Sequence, residues 1–221
     1  MARTSKQTRP RIVVTAGPTR EYVDPVRYLS NVSSGRMGFA IAAEAARQGC
    51  EVTLVAGPVR LETPVGVKRV DVESAREMLA AVRKAFAGAD ALIMAAAVAD
   101  WRPARRLSGK WRKKDDGTDR AVLELVKNPD VLATVAKRKG RRVVVSFALE
   151  TGDGERRARR KMARKNADFV VLNDASALNA ERSSATILGV DGSRRELVNK
   201  PKREIAAALV ALVAERAQQA S

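Results

Sequence analysis

Apolar positions in this chain follow two alternating rhythms. Short runs rich in β-branched residues, "RIVVTAG" (11–17), "EVTLVAGP" (51–58), "VKRVDV" (67–72), "RRVVVSFALE" (141–150) and "ADFVVLND" (167–174), read as strands, several of them stopped by Gly, Pro or Asn-Asp. "ADALIMAAAVADW" (89–101) is apolar almost throughout, the pattern of a central strand covered on both faces. Segments 36–48, 74–88, 154–167 and 202–218 read as helices. Gly49 stops the first, and Ser74 with Glu77 offers the second a capping box. "SSATILGVDGSRREL" (183–197) predicts a hairpin around an Asp-Gly turn. Strands alternating with helices imply βαβ units, hence an α/β fold: a doubly wound, mostly parallel sheet with helices on both faces. Residues 18–35 read as a long polar loop and 102–121 as a basic flap or hairpin. Residues 1–10 read as a disordered basic arm before a single domain spanning 11–221.

Composition removes several chemistries. The 221 residues contain no histidine and one cysteine, Cys50. Ser-His and Cys-His nucleophile systems, His-ligated zinc and His acid–base catalysis are therefore excluded, as is an internal disulfide. The formal charge of +17, from 42 Lys and Arg against 25 Asp and Glu, favours anionic partners. The longest apolar runs are too short to span a bilayer, and the basic, polar start has no apolar core of a secretory signal. A cytoplasmic protein without a membrane partner is expected.

In an open parallel sheet, ligands bind outside the carboxyl ends of the strands. That places the loop after Gly17, the segment after Asp100 and the segment after Glu150 at one mouth. The turn Ser33-Ser34-Gly35 adds a helix N-terminus, whose N–H groups and dipole favour an anion; a plain Ser-capped helix with Gly38 as a packing glycine is the alternative. Asp100 reads either as a turn former or as a ligand to a ribose hydroxyl or a metal. The flap "GKWRKKDDG" gathers cations around Trp111, suited to nucleic acid, to a triphosphate or to plain solvation. Lys161 and Lys165, four apart, share a helix face. No metal-ligand cluster or catalytic carboxylate pair is evident.

"VVTAGPTREYVDPVRYLSNVSSGRMGFAIA", "AAAVADW", "KWRKK", "VKNPDVL", "SFALET" and "KMARKNADFVVLND" occur in unbroken order between about residues 11 and 215. Together they closely resemble the phosphopantothenoylcysteine synthetases. In many bacteria that family forms the C-terminal half of a bifunctional coenzyme A biosynthesis flavoprotein. The resemblance implies a Rossmann-like domain that joins 4′-phosphopantothenate to L-cysteine with CTP, or with ATP in eukaryotic relatives, through an acyl-nucleotide. By resemblance, Asn31 converts that intermediate, and Lys110 of the flap meets negative charge developing on the phosphates. Ser33, Ser34 and Gly35 would cradle phosphates. Met94, Ala95, Ala96, Asp100, Pro129, Asp130, Val131, Leu132, Phe147, Lys161 and Lys165 match nucleotide-contact positions. Mg²⁺ is implied, held mainly by the nucleotide phosphates, as are a homodimer and a separate phosphopantothenoylcysteine decarboxylase; FMN is not expected.

Arg112 stands where the family flap usually has lysine, and residues 175–185 depart from the usual Gly-Phe-containing loop. Two other functions compete with this one. A nicotinamide-dependent oxidoreductase predicts an acid at the end of the second strand, which here ends "VAGPVR". A nucleic-acid-binding module, motivated by the charge and Trp111, predicts salt-sensitive binding, expected here only as a non-specific effect.

Overall fold

The computed structural model describes residues 9–112, 120–149, 154–173 and 182–220. Strands β1 (Arg11–Ala16), β4 (Glu51–Ala56), β5 (Val67–Asp71), β6 (Ala91–Met94), β9 (Val143–Leu149) and β10 (Phe169–Asn173) are parallel. They lie in the order β10-β9-β6-β1-β4-β5, and the antiparallel strands β11 (Arg182–Gly189) and β12 (Arg194–Pro201) extend the β10 edge. The chain leaves β1 toward β4 on one side and reaches β6 on the other, so β1 and β6 flank the point where the strand order reverses.

The period-two alternation of β1 splits its side chains between two cores. Ile12, Val14 and Ala16 meet helices α1 (Arg36–Arg47) and α5 (Lys202–Ala220) on one face. Val13 joins α2 (Ala75–Phe86), α3 (Val131–Ala136) and α4 (Gly154–Arg164) on the other. The doubly wound sheet with both faces covered is thus as the alternation implied. The Asp-Gly turn joins β11 to β12, with the Asp191 carboxylate accepting the Ser193 N–H at 2.9 Å. At the start of α2, Ser74 Oγ accepts the Glu77 N–H, while the Glu77 carboxylate accepts from the Glu73 N–H and the Ser74 hydroxyl. Among the described residues no helix is long and apolar enough to cross a membrane.

Helix α1 lies directly on β1. A Cβ at Gly38 would stand 2.5 Å from Ala16 Cβ and 2.8 Å from the Thr15 carbonyl oxygen. Only hydrogen fits there, and the contact fixes where the helix begins relative to the end of the strand.

Two expectations need correction. Residues 18–35 are not a loop throughout: β2 (Arg20–Asp24) and β3 (Arg27–Ser30) form an antiparallel hairpin. Its turn closes on the fully buried Asp24, whose carboxylate accepts the N–H groups of Val26 and Arg27, each at 2.8 Å, and of Trp111 at 2.9 Å. Burial opposes ionisation of Asp24, but those three N–H groups and the Arg27 guanidinium outweigh it and hold the carboxyl below its usual range. Secondly, the apolar run 89–101 is a strand only to Met94. Beyond it the backbone bonds to the exit of β1, with Ala96, Ala97 and Ala99 donating N–H groups to Thr15 Oγ1, Gly17 O and Thr19 Oγ1 at 3.1, 2.9 and 3.0 Å.

The expected flap or hairpin is anchored to the rest of the fold. Trp101–Pro103 (β7) pairs antiparallel with Leu125–Lys127 (β8) at its base, Leu107 donates to Val23 O, and Trp111 is held by the hairpin. Flap residues 113–119 and most of the N-terminal arm, residues 1–8, lie outside the described residues, as do 174–181 of the departing loop.

Gly38→Ala is expected to destabilise the protein by about 1–3 kcal/mol, the cost of overpacking against backbone that has little room to yield. Chemical denaturation measures it; a loss well under about 0.5 kcal/mol would mean that α1 shifts freely on β1.

Candidate functional site

The chain's divergence at β1 and β6 opens a cavity of about 1020 Å³ at the carboxyl ends of the strands. Its floor is Met94, Ala95 and Ala96, where β6 ends and the bonds from Thr15 begin to pull the chain aside. One wall is Asn31, Ser33, Ser34 and Gly35 with the first turn of α1. Gly35 takes a left-handed φ of 76°, and its missing side chain leaves room for Gly17 of the β1 exit, whose N would lie 3.3 Å from a Cβ. No side chain caps α1. The first-turn N–H groups, which have no intrahelical acceptors, therefore face the cavity that Arg36, Met37 and Gly38 line.

The second wall is Asp100 with Pro129, Asp130, Val131 and Leu132, the start of α3; the third is Phe147 with Lys161 and Lys165 of α4. Lys161 Nζ donates to the Phe147 carbonyl at 2.8 Å, and Lys165 pairs with Asp130 at 3.0 Å. Asp130 also caps α3, accepting the Ala133 N–H at 2.9 Å. Burial pushes the Asp130 carboxyl up, but the Ala133 N–H, Lys165 and Arg164 together bring it below its ordinary value. Asp100 is exposed, and its carboxylate enters no ion pair among the described residues.

Every residue singled out from the sequence lines this cavity except Lys110. Lys110 is exposed, next to the Trp111 that Asp24 and Arg27 hold against the hairpin. Asn31 braces the diverging loop, its Nδ2 donating to the carbonyls of Ala97 at 3.2 Å and Val98 at 3.1 Å. Asn128 was missed. Its Nδ2 donates to Ala99 O at 2.9 Å, its N–H donates to Asp100 O at 2.8 Å, and Arg102 reaches its Oδ1 at 3.2 Å. It ties the second wall to the floor loop, and its place inside "VKNPDVL" was the one available signal. Arg36 and Lys202 also line the cavity and were missed.

Residues 8–217 match the sequence profile of the DNA/pantothenate metabolism flavoprotein C-terminal domain. The chain belongs to that family. Similar relatives of this domain family include the coenzyme A biosynthesis bifunctional proteins CoaBC of Escherichia coli K12 and Vibrio cholerae. The first is 49% identical over 188 residues, covering 83% of this chain and 46% of the relative; the second is 45% identical over 211 residues, covering 93% and 52%. The chain thus spans about half the length of the curated relatives it matches. A crystal structure of the C-terminal domain of a CoaBC protein superposes with a TM-score of 0.82 at 38% identity, covering 95% of this chain and 96% of that one. A Cab2 mutant solved with phosphopantothenate-cysteine has the same fold, with a TM-score of 0.75 at 16% identity, covering 95% and 88%.

A carboxyl whose pKa is lowered by folding stabilises the fold above its unfolded pKa of about 3.9 and loses that contribution as pH falls through the lower folded value. Asp130→Asn keeps a capping oxygen but loses the Lys165 pair. It is expected to unfold more readily than the wild type at about pH 7, with the gap closing below about pH 4. Thermal unfolding across pH checks this; a gap that persists unchanged into acid would remove the ionised pair as its cause.

Proposed function

We propose that this domain is a phosphopantothenate–cysteine ligase, joining 4′-phosphopantothenate to L-cysteine with CTP through an acyl-cytidylate. The observation that carries this reading is the convergence on one cavity of Asn31, the uncapped start of α1, Asp100, the α3 N-terminus and the lysines of α4. Membership of a family whose relatives are coenzyme A biosynthesis proteins supports it.

In the first step a carboxylate oxygen of 4′-phosphopantothenate attacks the α-phosphorus of CTP, and pyrophosphate leaves. In the second, the cysteine amine attacks the acyl carbon, the amide forms, CMP leaves and the amine gives up a proton. Both steps need alignment and neutralisation of phosphate charge more than a strong base, which suits a cavity without histidine. Lys161 and Lys165 supply fixed positive charge, and the first turn of α1 supplies N–H donors. Among the described residues no three acidic or cysteine side chains cluster, while Asp100 offers one unengaged carboxylate. That donor set fits Mg²⁺ bound chiefly by phosphate oxygens. When bound, the ion would neutralise the phosphates and polarise the α-phosphoryl group. Asn31 braces the loop at Ala97 and Val98 and presents its amide to the mixed anhydride. Lys110 approaches the phosphates from the flap of its own chain or of a second copy in a homodimer.

Pyrophosphate release should depend on 4′-phosphopantothenate, Mg²⁺ and CTP, and CMP should appear only when cysteine is added. Release with ATP alone would reassign the nucleotide; release with neither would overturn the reading. Lys110→Ala should slow pyrophosphate release by about 10²–10³-fold, with little change in unfolding temperature because Lys110 lies outside the core. Native turnover would take Lys110 out of the mechanism. Asn31→Asp should release one pyrophosphate per site and then stall with acyl-cytidylate bound. Loss of the first step as well would confine Asn31 to bracing the loop, since a carboxylate there faces two carbonyl oxygens.

A further inference from the structure

The flap and the wall that carries Asn31 meet at one hairpin. Successive residues of β2 hold the flap segment that follows β7. The Arg106 guanidinium lies over the Tyr22 ring at 4.7 Å, Leu107 donates its N–H to Val23 O at 2.9 Å, and Trp111 donates its N–H to Asp24 Oδ2 at 2.9 Å. The Arg27 guanidinium pairs with the same Oδ2 at 3.0 Å and donates to the Trp111 carbonyl. Both main-chain groups of Trp111 are thus fixed by one ion pair, and the residue before it is Lys110. At its other end the hairpin leads from β3 directly into Asn31, with Ser30 Oγ donating to Thr19 O at 2.7 Å.

The two oxygens of Asp24 have separate partners. Oδ1 accepts the Val26 and Arg27 N–H groups and so shapes the turn within the hairpin. A turn of this kind needs only that oxygen, which an asparagine would also supply. Oδ2 is used on Trp111 and on the Arg27 that grips the same residue. Asp24 is fully buried, so this charge-assisted bond is shielded from water, and an unmatched N–H there would carry its full desolvation penalty.

We propose that Asp24 is a positioning residue for the reaction: through Oδ2 it sets where Lys110 stands relative to the cavity. On the ligase reading, on which the choice of assay rests, Asp24 touches no reacting atom and acts through Lys110.

The test is a double-mutant cycle on pyrophosphate release with CTP, Mg²⁺ and 4′-phosphopantothenate. Asp24→Asn keeps an oxygen for the turn and sets an amide N–H against the Trp111 N–H. It should slow release about tenfold or more, the loss of a charged hydrogen bond, in kcat rather than in the KM for CTP. Combined with Lys110→Ala it should slow release no further than Lys110→Ala alone. Trp111→Pro removes the N–H from the flap side and leaves Asp24 in place; it should show the same loss relative to Trp111→Phe. In a Trp101→Phe background Trp111 is the sole tryptophan, and Asp24→Asn should open its fluorescence to acrylamide quenching with no substrate present. Wild-type release by Asp24→Asn, or unchanged quenching, overturns the proposal. So does equal slowing in the Lys110→Ala background, which would mean that Asp24 does not act through Lys110. If Asp24→Asn fails to fold by its melting temperature, the Trp111 pair decides, and Trp111→Pro releasing pyrophosphate as fast as Trp111→Phe overturns it. A wild type that releases no pyrophosphate, but whose quenching responds to Asp24→Asn, removes the ligase reading and keeps the hold of Asp24 on the flap. No release and no response in quenching removes both.

Discussion

The close seat of α1 on β1 is the constraint from which the site follows. Gly38 against Ala16 and Thr15 brings the helix onto the strand, and Gly35 against Gly17 lets the turn before it pass the strand's exit. With side chains at those positions the helix would ride higher, and its first N–H groups would no longer open on the point where the sheet order reverses. The neighbouring strand then ends early for a related reason. The hydroxyls of Thr15 and Thr19 take the N–H groups of Ala96 and Ala99, and only Ala97 still bonds in register to the exit of β1, through Gly17 O. Side-chain acceptors thus replace part of the ladder beyond Met94, and Asn31 and Asn128 hold that loop from either side.

Charge is arranged on the same frame. The buried Asp24 is saturated by N–H donors and Arg27, and Asp130 is shared between a helix cap and Lys165. Neither is placed to act as a base. What remains toward the cavity is a set of cations, helix ends and the exposed Asp100, which on the proposed reading hold phosphate and stabilise charge as it moves between phosphate oxygens. Part of the excess of 17 positive charges lies at this cavity.

The parallel strands, four of the helices, the Asp-Gly hairpin and the capping box were legible in the sequence because each is a local pattern long enough to repeat. What failed was short or tertiary. β8 has three residues and α3 six, too few to show a period. The β2–β3 hairpin depends on Asp24 meeting Trp111, which lies 87 residues away. The run 89–101 kept its apolar character past Met94 because the loop is buried among the same neighbours, so hydrophobicity did not mark where pairing ceased. For the site, Ser33–Gly35 and Asp100 could be suspected from the ends of elements and Lys161 with Lys165 from their shared helix face, whereas Phe147 and the 129–132 turn came from family resemblance. Lys202 showed no signal at all, since only the packing of α5 beside α1 brings it to the cavity.

The most direct test of the central claim follows an oxygen atom. 4′-Phosphopantothenate labelled with ¹⁸O in its carboxylate is turned over with CTP and cysteine, and the products are weighed by mass spectrometry. An acyl-cytidylate route leaves one labelled oxygen in the amide and delivers the other to CMP. Label in inorganic phosphate, or none in CMP, would contradict attack at the α-phosphorus and with it this account of the cavity.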